Sequence, residues 1–347
     1  MARIDGLPTG LFAGLWAAYR LRWKRRRLLF RALRKRRQIA PVADRSAAIR
    51  PGDILAFATI RNEALRLPEF LAHYRRLGVA HFLIVDNGST DGGAALLEAE
   101  PDVSLWTTGH SYRLSRFGLD WLTWLMIRHG HGHWCLTVDA DELLIYPHWQ
   151  SRPLPALAAW LDRHGAEAFP AMMLELYPSG RLSEAEAPSG DALAALRWFD
   201  SGNYTIRKQR PMDNLWIQGG ARARVFFAGD PRRAPTLNKL PLVRWNRRHV
   251  YVNSTHGALP PRLNRAYAED GGEAISGVLL HTKFLPDAPR RAAEEKARDE
   301  HFANAAAYEG YYDALAAGPE LWTPRSRALT GWRQLEALGL MSRGGWV

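Results

Sequence analysis

The chain carries one cysteine, Cys135, among 347 residues. One thiol excludes an intrachain disulfide framework and suits a reducing compartment. Its setting, Trp134-Cys135-Leu136, is apolar, so an inert core side chain is expected. No run of about 18 apolar residues occurs, so no membrane-spanning helix is expected. Acidic residues are missing from a long N-terminal stretch, with none between Asp5 and Asp44. The chain also lacks an internal repeat and any recognisable nucleic-acid-binding motif.

The charge that is present is unevenly placed. Residues 1–50 contain 14 Lys/Arg and 2 Asp/Glu, and the remaining 297 residues contain 33 of each, so the net +12 belongs to an N-terminal arm. The body needs no polyanionic partner, and no nucleic acid is expected. Residues 10–38 are predicted as one helix with Phe12, Trp16, Tyr19, Trp23 and Phe30 on a common face. Eleven Lys/Arg lie between Arg20 and Arg37. Aromatics beside dense cations suit an anionic membrane surface on which the helix lies without crossing. A secretory signal fits worse, because the apolar part precedes the charges. The alternatives for the arm are a solvated extension and nucleic-acid binding. Residues 40–51 are expected to be a linker.

The body alternates strand and helix signals. Ile54–Ile60 is a continuous apolar run ending in Arg61-Asn62-Glu63. Pro68 opens a helix stopped by Gly78. His81–Val85 is a second strand, ending in Asp86-Asn87-Gly88-Ser89-Thr90-Asp91, and Val103–Trp106 a third. A helix over 113–128 leads to the strand Trp134–Val138. This order predicts a doubly wound sheet with its ligands at the carboxyl ends of the strands. Later elements are a helix at 154–163, strands at 170–176, 222–227, 249–253 and 278–284, and a helix at 289–317.

Val138-Asp139-Ala140-Asp141-Glu142 interrupts an apolar stretch with three carboxylates. Burying such charge without a partner costs several kcal/mol or so, and a divalent cation is a natural partner. Asp139 and Asp141 alternate along the chain, so both can face one hard ion and the diphosphate it carries. A solvated surface turn is the plain alternative.

Together, Thr59-Ile60-Arg61-Asn62-Glu63, Asp86-Asn87-Gly88-Ser89-Thr90-Asp91 and Asp139-Ala140-Asp141-Glu142 resemble the family 2 glycosyltransferases with the GT-A fold. The likeness is to a bacterial branch whose carboxylate motif reads Asp-Ala-Asp-Glu, and it is specific over about residues 53–147. It implies a doubly wound, mostly parallel α/β sheet, here with a basic amphipathic helix before it and a helical segment after it. It implies a nucleotide-diphosphate sugar as donor, a UDP-sugar first among them, with Mn²⁺ or Mg²⁺ and inversion at the anomeric carbon. By the same resemblance Asp141 ligates the ion, Asp139 lies near ribose and metal, and Thr59, Asp86 and Asn87 hold the base. Asn62, Glu63 and Asp91 complete the expected nucleotide site. The organisation that follows is an arm at 1–50, a transferase domain at 51–288 and a helical extension at 289–347. The nucleotide-sugar half of that domain would be 51–147 and the acceptor half 148–288.

A GT-A metal takes a further ligand late in the chain, for which His256 and His281 are the candidates; a hydrogen-bonded core histidine is the plain alternative for each. Lys283, on the same strand face as His281, could meet phosphate. An inverting transfer needs a general base on the acceptor side, and Asp213 and Asp200 fit that order, with Glu175 a third choice. Arg222 and Arg224 are read as structural before ligand-binding. The expected role is surface polysaccharide or glycolipid synthesis on the cytoplasmic face of a bacterial membrane, with a glycan or lipid-linked acceptor. The rival functions are a catalytically silent nucleotide-sugar-binding protein and a nucleic-acid-binding protein with a basic arm.

Overall fold

The computed structural model describes residues 11–182, 195–267, 274–298 and 309–346. Its centre is a nine-stranded sheet in the order β1-β4-β3-β2-β5-β11-β7-β14-β6. The first seven strands in sequence are β1 (Ala40–Ala43), β2 (Ile54–Ile60), β3 (Val79–Asp86), β4 (Val103–Thr107), β5 (Trp134–Thr137), β6 (Glu142–Ile145) and β7 (Ala168–Glu175). The short pairs β8 (Trp198–Phe199) with β15 (Arg327–Ala328), β9 (Thr205–Gln209) with β10 (Asn214–Gln218), and β12 (Val250–Tyr251) with β13 (Ala258–Leu259) lie outside it. The last two central strands are β11 (Asn238–Arg244) and β14 (Gly277–His281).

Pairing is parallel through β4, β3, β2 and β5. Helix α2 (Leu67–Arg76), α3 (Gly93–Ala99) and α4 (Leu119–His129) make the crossovers. Alternate residues of β2 face opposite ways: Ala56, Ala58 and Ile60 meet Phe70 and Tyr74 of α2, while Leu55 and Phe57 meet Trp121 and Leu125 of α4. A strand buried on both faces explains the unbroken apolar run. The other half is mixed: β11 is antiparallel to β5 and β7, and β14 is parallel to β7 but antiparallel to β6. α5 (Leu154–Arg163) covers the same face as α2.

Several elements differ from expectation. The N-terminal helix α1 (Leu11–Lys35) is seated rather than free: Leu28 and Ala32 are buried, and Leu28 packs with Val250, Val252 and Leu259. The expected linker contains β1, which pairs with β4 at the sheet edge. The expected strand at 222–227 is helical over residues 222–226, within Gly220–Phe226, because the Ala/Arg alternation that imitates a strand follows two left-handed glycines and its first turn donates the Arg222 N–H to Glu175 Oε2 at 2.8 Å. The late helix, expected over 289–317, is described only as Ala288–Arg298 and Glu309–Ala316, and its residues 299–308 lie outside the described residues.

Candidate active site

The carboxyl ends of β2, β3 and β5, together with those of β7 and β14, open on one cavity of about 1040 Å³. Its wall carries seven arginines and two lysines against four carboxylates, an electrostatic match for a polyanion such as a diphosphate.

At the floor, β5 ends and residues 138–141 turn the chain into β6, whose register sets Glu142 opposite His281. The Thr282 N–H donates to the Asp141 carbonyl at 2.7 Å, fixing that turn. Asp141 Oδ2 lies 3.1 Å from His281 Nε2. Burial would raise the Asp141 carboxyl, but His281, Arg66 and Lys283 outweigh it and hold it well below the usual carboxylate range. Burial lowers the His281 imidazole from its ordinary value, and the neighbouring Asp141 opposes that shift. His281 Nδ1 is buried without a hydrogen-bond partner.

The second acidic group is a triad that the chain order hides. Lys239, on β11, is almost wholly buried and donates to Asp139 Oδ2 at 2.9 Å and to Glu142 Oε1. Burial would lower the Lys239 ammonium, and the charges of Asp139 and Glu142 reverse that. Burial pushes the Glu142 carboxyl up. The Asp139 N–H also donates to Glu142 Oε2 at 3.2 Å, so Glu142 braces the motif from below. The Asp139 side chain itself stays half exposed to the cavity.

A divalent ion fits part of this set. Asp141 Oδ2 and His281 Nε2 stand as far apart as two neighbouring ligands of an octahedral ion with bonds of about 2.1 Å. Among the described residues no three His, Cys, Asp or Glu side chains converge as a closed site. With one or two protein ligands, substrate phosphate and water would have to complete the coordination. Asp139, also expected as a ligand, pairs with Lys239 through Oδ2.

His256 also lines the cavity. Its Nδ1 is 2.6 Å from the Asn238 carbonyl, which can only accept, so Nδ1 carries the proton and Nε2 keeps its lone pair. Burial takes this imidazole down to about 4.

The nucleotide side is built from Thr59, Asn87 and a strap over residues 110–118. Thr59 Oγ1 is buried without a partner and faces Gly118, where an added Cβ would come within 2.4 Å of it. Arg116, Phe117 and Gly118 all have positive φ (56°, 58° and 76°), which throws the Phe117 ring beside Tyr112, with centroids 5.7 Å apart. Arg116 holds the strap through Asp120 Oδ1 (2.7 Å) and the Tyr251 carbonyl (2.8 Å). Its second terminal nitrogen is buried without a partner.

Seven of the expected residues therefore meet in one cavity: Thr59, Glu63, Asn87, Asp139, Asp141, His256 and His281. Asn62, Asp86 and Asp91 do not line it. Asn62 Oδ1 accepts the Thr90 N–H at 2.8 Å, Asp86 accepts from Ser89, and Asp91 accepts the Ala64 and Gly93 N–H groups, so these three brace the loops behind the wall. Asp200 and Asp213 do not reach it either. Asp200 is clamped by Arg224 and Tyr177, and Asp213 is held near the surface by Arg265 at 2.9 Å. Glu175 holds Arg222. Neither aspartate is placed to take a proton from an acceptor in this cavity. Sequence reasoning missed Lys239, Arg66, Arg116 and Arg291; the one available signal was a lysine, beside Asn238, inside the mainly apolar stretch Leu237–Val243.

No family model matches the chain, and no curated protein matches it. Among solved structures it is similar to the mannosyltransferase PcManGT from Pyrobaculum calidifontis, determined in complex with GDP-Man and Mn²⁺. The identity is 19%, the TM-score 0.25, and the match covers 48% of this chain and 45% of the other. The match spans less than half the length of that protein, so the functional reading rests on the cavity's own residues.

Proposed function

We propose that the protein is a metal-dependent glycosyltransferase acting on a nucleotide-diphosphate sugar. One observation carries the reading: Asp141 and His281 stand at ligand spacing on the floor of a strongly cationic cavity, at the carboxyl ends of a doubly wound sheet. Thr59, Asn87, Tyr112 and Phe117 form the side suited to a nucleoside. Arg66, Lys283 and Arg222 offer charge to the diphosphate; Arg222 is buried, with one terminal nitrogen left without a partner. A divalent ion held by Asp141 and His281 would supply charge to the leaving diphosphate.

In the transfer the acceptor oxygen bonds to the anomeric carbon as the bond from that carbon to the diphosphate breaks. The electron pair leaves with the nucleoside diphosphate, and, with Asp200 and Asp213 outside the cavity, water rather than a side chain acts as the base that takes the hydroxyl proton. Displacement from the opposite face inverts the anomeric centre. Lys239 offsets one of the two charges at Asp139 and Glu142, which lessens the floor's repulsion of the diphosphate. The test is thermal stabilisation by a panel of nucleotide sugars with and without Mn²⁺. A metal-dependent rise in Tm with at least one nucleotide sugar supports the reading; no rise with any of them, or an equal rise with unrelated anions and without metal, overturns it.

A further inference from the structure

We infer that the outward face of α1 is a seat for an anionic membrane surface, and that it sets the cavity's rim against the bilayer. The inner face of α1 is occupied, through Leu28 and Ala32, by the body of the protein. The opposite face carries Phe12, Trp16, Tyr19, Trp23 and Phe30, which are 86%, 60%, 49%, 52% and 59% exposed. A soluble helix packed on its own domain has no reason to display five large aromatics in one line. The rings are already ordered against one another: Trp16 stacks on Tyr19 with centroids 5.6 Å apart, and Tyr19 meets Trp23 edge-on at 6.2 Å.

Charge identifies the occupant. Arg20, Arg22, Arg26, Arg27 and Arg34 are exposed. At about 100° per residue they fall within roughly 80° of the aromatic line, on both flanks. An apolar protein partner would have to leave these five guanidinium groups unpaired or answer each with an acid. A bilayer of anionic lipid answers all of them at once, because aromatic rings settle at headgroup level and the flanking cations meet phosphate. No described helix is long and apolar enough to cross a membrane, so the contact lies along the surface.

The seat is tied to the cavity. Arg31 lies about a quarter turn from the aromatic line and is itself part of the cavity wall. It pairs with buried Asp120 at 3.0 Å and donates to the Leu114 carbonyl at 2.7 Å; Lys35 donates to the same carbonyl. Leu114, two-thirds exposed, stands on the strap that lines the cavity. With α1 on a bilayer, the rim formed by Arg31 and Leu114 sits at the interface. The class of acceptor that follows is one carried on lipid, a consequence that rests on the transferase reading, whereas the membrane seat does not.

The experiment is sedimentation of the full chain with phosphatidylglycerol and with phosphatidylcholine vesicles at low and high salt, alongside the variant Trp16→Ser/Trp23→Ser. Both tryptophans are exposed, so the variant should melt as the parent does. The expected result is sedimentation with anionic vesicles at least tenfold above neutral ones, weakened by salt and reduced on the order of tenfold in the variant. Equal binding to both vesicle types, no binding at low salt, or a parent-like variant would overturn the inference. So would a stable dimer in solution that the variant converts to monomer, since a second copy would then cover the stripe. Donor binding enters none of these readouts, so failure of the seat and failure of the transferase reading are separable.

Discussion

Replacing Lys239 by methionine tests the acidic floor most sharply. Lys239 and Glu142 are both almost fully buried, whereas the Asp139 side chain is 52% exposed. Loss of the ammonium therefore costs little at Asp139, where solvent can take over. At Glu142, which burial pushes up to about 8, it leaves above that pH a buried carboxylate with no counter-charge, which costs about 3–5 kcal/mol. That corresponds to a fall in Tm of roughly 4–7 °C for a chain of this size. The deficit should shrink as pH falls, because a protonated Glu142 needs no counter-charge. The companion variant Lys239→Met/Glu142→Gln keeps an acceptor for the Asp139 N–H and removes the stranded charge, so it should recover all but about 1–2 kcal/mol. Equilibrium urea denaturation and thermal melting of the three proteins at several pH values give the comparison. A single variant within about 1 kcal/mol of the parent, or a double variant no better than the single, would refute the account of the floor.

Two further outcomes follow from the packing. His73 is buried with its Nε2 at 2.9 Å from the Leu144 carbonyl, and burial takes its imidazole down from an ordinary 6.5 to about 4. A folded value below the unfolded one means that the stabilisation is present above pH 6.5 and is lost as pH falls through 4. Its loss is worth about 3 kcal/mol, and His73→Gln should flatten stability across that window in acid titrations followed by circular dichroism. Gly118→Ala places a Cβ within 2.4 Å of Thr59 Oγ1 at a φ of +76°, so it should cost about 1–3 kcal/mol in a melt and weaken nucleotide binding more than metal binding.

The strands and helices of the nucleotide half were legible because their signals are local. β2 is an unbroken apolar run, α2 starts at a proline and ends at a glycine, and Asp139 and Asp141 interrupt a buried strand. What sequence could not show were partners distant along the chain. Lys239 reaches Glu142 across 97 positions, and Arg291 reaches Glu63 across 228. Asp200 and Asp213 resembled free acids because Arg224 and Arg265 stand 24 and 52 positions away. Gly220–Phe226 imitated a strand through its Ala/Arg alternation. The strap at 110–118 depends on three consecutive left-handed residues, of which only Gly118 announces itself in the sequence.

The central claim is that Asp141, facing His281, holds the ion on which the sugar nucleotide depends. The direct measurement is calorimetric titration of Mn²⁺, and of a nucleotide sugar in the presence of Mn²⁺, into the parent and into Asp141→Asn. The account predicts saturable Mn²⁺ binding to the parent, tighter when the nucleotide sugar is present. In Asp141→Asn both should weaken by tenfold or more, with the melting profile within about 1–2 kcal/mol of the parent. Undiminished, metal-dependent nucleotide-sugar binding in Asp141→Asn would contradict it.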